Sequence, residues 1–162
     1  MSEEFTWIDR ARKQVEYHAE ALDFVRRVGE QLPTTMDDAA QVSRLWVEAD
    51  ILDQMLCSLL DEMNSGLVDG GAEFDSTRGA AIHDTELGEQ ELRFECSWSL
   101  SWSDLKGIAV TLAINPRVGV FTARVSSVES RQSRDIAYPI IEDALKEVLI
   151  SVYVAEETKG TY

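Results

Sequence analysis

Cysteine, histidine, lysine and long apolar runs are all scarce in this chain, and each scarcity closes off a class of function. The two cysteines, Cys57 and Cys96, stand far apart with no paired spacing, which argues against a disulfide framework or a cysteine-built zinc site. Both fall on predicted apolar faces and read as buried free thiols. His18 and His83 are the only histidines, too distant from each other for the paired spacing of a helix-borne metal site. Basic residues number 15 against 30 acidic ones, giving a net charge of −15. A field of that sign repels phosphate backbones and anionic lipid, so no direct nucleic acid or membrane partner is expected, and a basic protein surface is. Only four of the cations are lysines, a bias that adaptation of a whole proteome to salt would also leave.

The longest apolar stretch, Ile140 to Ala155, is interrupted by Glu142, Asp143, Lys146 and Glu147 and is too short for a bilayer. The opening Met1-Ser2-Glu3-Glu4 lacks the basic and apolar regions of a secretory signal, so a cytoplasmic protein is expected. A phosphate-cradling loop is missing too: Gly70-Gly71 runs into Ala72-Glu73-Phe74, without the lysine and hydroxyl that chemistry needs.

What the sequence does contain is periodicity. From Thr35 to Met63, the residues Val42, Leu45, Ala49, Leu52, Leu56, Leu59 and Met63 recur at alternating steps of three and four, the seam of an amphipathic helix. Trp46, Ile51, Met55 and Leu60 widen the stripe, predicting a central helix with neighbours on more than one side. A second unbroken series, Ile8, Ala11, Val15, His18, Leu22, Val25, Gly29 and Leu32, predicts a helix over Phe5 to Leu32. His18, on that seam, reads as a core or interface histidine that finds a partner. Pro33 ends the helix, Thr34 or Thr35 can cap the next one, and Asp37 and Asp38 suit its first turn. Folding the pair into an antiparallel hairpin places Val25 near Val42 and Leu45, His18 near Ala49, and Ile8 near Leu59 and Leu60.

Gly66 is expected to end the central helix. Residues 66–90, with glycines at 66, 70, 71, 79 and 88, read as an acidic Gly-rich loop in which Ala80 to His83 suits at most one short strand. At Glu91 the period switches to two: Leu92, Phe94, Cys96, Trp98, Leu100 and Trp102 alternate with polar residues and predict a strand with one buried face. Ile108, Val110, Leu112 and Ile114 mark a second strand, Asn115-Pro116-Arg117 a turn, and Val118 to Ser127 a third strand. Connections this short favour an antiparallel meander. The last helix is expected to begin between Asp135 and Pro139 and to end near Glu157, with a frayed tail over 158–162. The expectation is a single α+β domain over 1–162: an N-terminal antiparallel helical hairpin, a three-stranded antiparallel β-meander and a C-terminal helix, the helices packed on one sheet face. Its core should include Leu45, Leu52, Leu56, Leu59, Phe94, Trp98, Leu100, Val110 and Leu112.

Chemistry is harder to find. Asp50 and Asp53 share a helix face with Glu48 close by, the residue types of a magnesium-dependent phosphohydrolase. The paired motifs of helical pyrophosphohydrolases do not form, because Ala19 stands three residues after Glu16 and Ile51 three after Glu48. His83-Asp84 lies near Asp69, Glu73 and Asp75, but their spacing is not that of a calcium loop. Ser97, Ser99, Ser101 and Ser103 occupy the outer face of a strand without a nucleophile elbow, and neither cysteine has an activating base. No catalytic, metal or cofactor site is therefore expected. A magnesium enzyme built on Glu48, Asp50 and Asp53 is the competing class, and a self-assembling homo-oligomer the third.

Charge is distributed unevenly. Residues 33–96 carry −12 of the net −15, while Lys106, Arg117, Arg124, Arg131 and Arg134 lie in or beside the second and third strands. The candidate partner-binding residues are Asp37, Asp38, Glu48, Asp50, Asp53, Asp61, Glu62, Asp69, Glu73 and Asp75, on the exposed side of the central helix and the loop after it. In size and acidity alone the chain resembles small bacterial secretion chaperones and phage-encoded inhibitors that mimic DNA, and no site is carried over from either. The sequence thus predicts a non-catalytic acidic module, inhibitor-like or chaperone-like, that engages a basic partner surface.

Overall fold

The computed structural model describes residues 6–103, 106–127 and 132–158. In chain order they form α1 (Trp7–Val28), α2 (Asp38–Leu67), β1 (Glu73–Asp84), β2 (Gln90–Ser103), β3 (Lys106–Asn115), β4 (Val120–Ser127), β5 (Ser133–Ile136) and α3 (Glu142–Thr158). The strands make one antiparallel sheet in the order β1-β2-β3-β4-β5, with helices packed on it. The predicted α+β class is present, the details of the helical hairpin and of the meander differ, and the three predicted strands are the sheet's inner members β2, β3 and β4.

The sheet has five strands, not three, and the two additions lie at its edges. Residues 66–90 are not mostly loop: β1 takes up twelve of them. Its helix-facing row, Phe74, Ser76, Arg78, Ala80 and Ile82, is broken by a hydroxyl and a guanidinium, so no apolar alternation announces it. An edge strand tolerates this because only one side must pair. β5 occupies part of the span expected to open the last helix, pairing Ala123 with Ile136 and Val125 with Arg134. The helix starts only at Glu142, after a cis Tyr138-Pro139 bond. Gly66 lies inside α2. The helix is stopped by left-handed Asp69 and Gly70 at φ 57° and 78°, where the Gly70 amide donates to the Asn64 carbonyl and the Ala72 amide to Asn64 Oδ1. Of the expected frayed tail 158–162, Thr158 instead closes α3, and Lys159–Tyr162, like Arg131, lie outside the described residues.

The chain divides into two compact units. The first comprises Met1–Leu52, Arg78–Glu95 and Ala113–Phe121. Here α1 opens with a capping box in which Thr6 and Asp9 satisfy each other's backbone amides, and the Thr6 bonds hold the Asp9 carboxyl below its usual value. The core contains Val25, Val42, Leu45, Trp46, Leu52 and Phe94, with Phe24 edge-on to Trp46 at 5.4 Å and tilted against Phe94 at 6.1 Å.

Within this unit α1 is rotated from its predicted seam. Only Ala21 and Val25 of the helix are buried, while Ile8 and Val15 are 45% and 77% exposed. The face turned toward α2 carries Arg10, Lys13 and Tyr17, which bind Glu48 and Asp50. Polar pairing, with the Phe24 and Trp46 contact, sets the hairpin's facing where periodicity predicts an apolar seam.

The second unit comprises Asp53–Thr77, Cys96–Leu112 and Thr122–Tyr162. Its core includes Leu56, Leu60, Trp98, Leu100, Ile108 and Leu112. Trp98 and Trp102 share the helix-facing side of β2: Trp98 Nε1 donates to Asp53 of α2 at 2.9 Å and Trp102 Nε1 to Glu157 of α3 at 2.8 Å. All nine predicted core residues are buried.

Candidate functional site

The ten acids singled out by charge fall into two groups with different surroundings. Four are used within the fold. Asp38 is buried and accepts from the Thr35 amide at 3.0 Å. Glu48 accepts from Arg10 Nε at 3.1 Å. Asp50 accepts from Tyr17, from Lys13 at 3.4 Å and from Arg78 at 3.3 Å. Asp53 accepts from Trp98 and lies 3.6 Å from Cys57 Sγ. Heptad reasoning takes acids off the apolar seam as solvated, and so misses Glu48 and Asp50 as partners for the cations of α1. The signal available was the match of Arg10, Lys13 and Tyr17 on one helix with Glu48 and Asp50 on the next.

The remaining six, Asp37, Asp61, Glu62, Asp69, Glu73 and Asp75, are exposed and make no side-chain hydrogen bond or ion pair among the described residues. Five of them belong to the second unit. There the outward face of α2 presents Gln54, Ser58, Asp61, Glu62 and Ser65, all exposed. Each flank of this face borders a cleft. One, of about 520 Å³, is lined by Cys57, Ser58, Asp61, Asn64, Phe74 and Leu100. The other, of about 320 Å³, lies between α2 and α3 and includes Leu59, Glu62, Met63, Leu67, Leu149 and Ile150. Phe74, Leu67 and Ile150 are 47%, 47% and 60% exposed, so each cleft offers apolar surface beside a carboxylate. Sequence periodicity can mark Asp61 and Glu62, but not Phe74, which belongs to a strand that no alternation reveals.

Cys57 sits in the first cleft beside Asp53. Desolvation, then the negative charge of Asp53 and its hydrogen bond, push the thiol above its ordinary value, the reverse of what a nucleophilic cysteine needs. Alkylation of Cys57 near neutral pH is expected to run roughly tenfold slower than that of free cysteine, and Asp53→Asn should recover part of the difference. Reaction at the free-thiol rate would contradict this electrostatic account.

The first unit holds a cleft of a different kind, about 600 Å³, whose lining includes Phe24, Arg27, Trp46 and Arg78. Arg78 lies over the Trp46 and Tyr17 rings at 5.0 and 5.6 Å, and Trp46 beneath it is only 5% exposed. On the outer sheet face of the same unit His83 Nε2 meets Glu95 at 2.6 Å. Glu91 is bound by Arg93 at 2.8 Å and by Asn115, and those two bonds, Arg93 first, hold the Glu91 carboxyl below its usual value.

Among the described residues no group of three or more His, Cys, Asp or Glu side chains is arranged to hold a metal ion. No helix among them is long and apolar enough to cross a membrane. Comparison of the chain with protein-family models, with curated proteins and with solved structures found no match.

Proposed function

We propose that the chain is a non-catalytic, cytoplasmic protein-binding module whose second unit takes up a basic amphipathic segment of a partner protein. The observation that carries this reading is the alternation around the outer half of α2: Asp61 and Glu62 stand on its exposed face, and an apolar cleft opens on either flank. A helix with cations on one side and apolar residues on the other would place each against its complement. The net charge of −15 would draw such a segment in from a distance and repel acidic competitors. Inhibitors of nucleic-acid-binding proteins and chaperones of basic effectors both fit this description. The acids that matter are the six without a side-chain partner, since Asp38, Glu48, Asp50 and Asp53 are engaged by other groups of the fold.

The test uses a synthetic basic amphipathic peptide of helical period and a scrambled peptide of the same composition. The apolar clefts should favour the amphipathic peptide by at least about tenfold, or 1.4 kcal/mol. Asp61→Asn with Glu62→Gln should slow its association and flatten the dependence on salt. Equal binding of both peptides would remove the clefts from this reading, and an unchanged salt slope in the double variant would leave the acidity as a solubility device alone.

A further inference from the structure

The N-terminal stretch of the apolar row predicted to bury α1 against α2 instead faces outward, and only at Val25 does the row turn into the core. Ile8, Ala11, Val15 and His18 are all exposed, and Val15 and the neighbouring Trp7 are each 77% exposed. Another side of the helix is already occupied, by Arg10, Lys13 and Tyr17 on α2 acids and by buried Ala21, with Val25 buried where the row meets that side. A row repeating at three and four residues matches the seam of a second helix, not a flat or irregular surface. We infer that α1 is a self-association surface: it pairs antiparallel with α1 of a second copy through Ile8, Ala11, Val15, His18 and Leu22.

Charge identifies the occupant. α1 carries four acids and five bases, so it is slightly positive in a chain of net charge −15, whereas α2 and α3 are both strongly acidic. Two copies meeting through α1 thus present the helix that repels its twin least. Side-chain size and charge fix the orientation. In an antiparallel pair centred on Val15, Ile8 lies opposite Leu22 and small Ala11 opposite large His18. Arg12 on one copy is brought toward Glu16 on the other, twice by symmetry. A parallel pair would set Ala11 against Ala11 and His18 against His18, leaving a gap at one level and crowding at the next. The helix has 22 residues, about 33 Å of length. One face of that length is a small interface, so the dimer is weak, with a dissociation constant on the order of 10–100 µM. This inference is independent of the binding reading for the second unit.

Sedimentation equilibrium on the full chain tests it directly. Between about 1 and 300 µM the apparent mass should climb toward twice the chain mass, and Val15→Asp should weaken the association at least about tenfold. Circular dichroism should show Val15→Asp still folded, because the side chain it replaces is 77% exposed. Val15→Cys, a smaller change in shape, should form a disulfide-linked dimer under mild oxidation faster than Glu20→Cys, which lies off the row. Three results would each overturn the inference: a mass independent of concentration, a dimer indifferent to Val15→Asp, or equal cross-linking at positions 15 and 20.

Discussion

Glu156→Ala is expected to lower folding stability by about 2–4 kcal/mol, while Glu156→Gln should cost about 1 kcal/mol or less. Glu156 is only 2% exposed, and its Oε2 accepts from the Gly107 amide at 2.9 Å. Next to it, Glu157 accepts from Trp102 Nε1 and, at 3.2 Å, from Lys106 Nζ. Acids in the last turns of a helix oppose its dipole, so their place at the end of α3 calls for compensating partners, and these strand groups provide them. Removing Glu156 leaves a buried amide without its acceptor and opens a void beside the start of β3. Glutamine keeps an acceptor of similar shape. Urea unfolding of the two variants checks the account, and equal losses would show that the carboxylate's charge, which both variants lack, is what Glu156 supplies, and not the packing or the neutral hydrogen bond that glutamine keeps. Glu157→Ala, whose side chain is 36% exposed, should cost no more than about 1 kcal/mol.

Glu156 also shows which parts of this molecule its sequence reveals. Alternation in β2 and the heptads of α2 are legible because each buries one whole face: Leu45, Leu56, Phe94 and Leu100 follow directly from the burial of a periodic stripe. Features that depend on pairing between distant polar groups are not. Nothing local distinguishes buried Glu156 from exposed Glu157, or engaged Asp50 from exposed Asp61. The edge strand β1 escapes for the same reason, since Arg78 in its inward row is held by Asp50 and two rings and has no need to be apolar. The clearest miss is α1. Its unbroken apolar row satisfies every local rule for a buried seam, yet hydrogen bonds and ring contacts turn a different face inward over Ile8 to His18, and only Val25 of the row is buried. Local periodicity says that a helix has an apolar face, and leaves open whether its own chain covers that face.

Charge density is equally incomplete as a guide to the site. It selects ten acids, of which four serve as internal acceptors. What separates the others is the surface beside them, and that surface is assembled from three elements: Leu100 on β2, Phe74 on β1 and Ile150 on α3. No window of sequence contains all three. Neutralising Asp50 or Asp53 to probe a partner would therefore confound binding with folding, whereas Asp61 and Glu62 can be changed with little structural consequence.

Asp50→Ala is the variant where that distinction is expected to be largest: about 2 kcal/mol of stability lost, with Asp50→Asn intermediate. One carboxylate here receives Tyr17, Lys13 and Arg78, drawn from α1 and β1, so its removal loosens three anchors at once. Screening limits each ion pair, because the Asp50 side chain is 25% exposed and its cationic partners 38% and 40%. The loss accordingly stays below that for a fully buried charge. The Tyr17 phenol carries a separate signature. Desolvation first, and then its hydrogen bond to Asp50, raise it above the ordinary value of 10.0. The folded state thus favours the protonated phenol. Its contribution is fully present below pH 10 and is lost as pH rises through the elevated value. Alanine at position 50 should bring the Tyr17 titration back toward 10.0 without reaching it, since the desolvation remains. Ultraviolet absorbance titration, with Tyr17→Phe to identify the signal, measures the shift. A phenol that titrates identically with and without Asp50 would mean that burial alone sets its acidity, and would remove Tyr17 from the network that fixes the facing of α1.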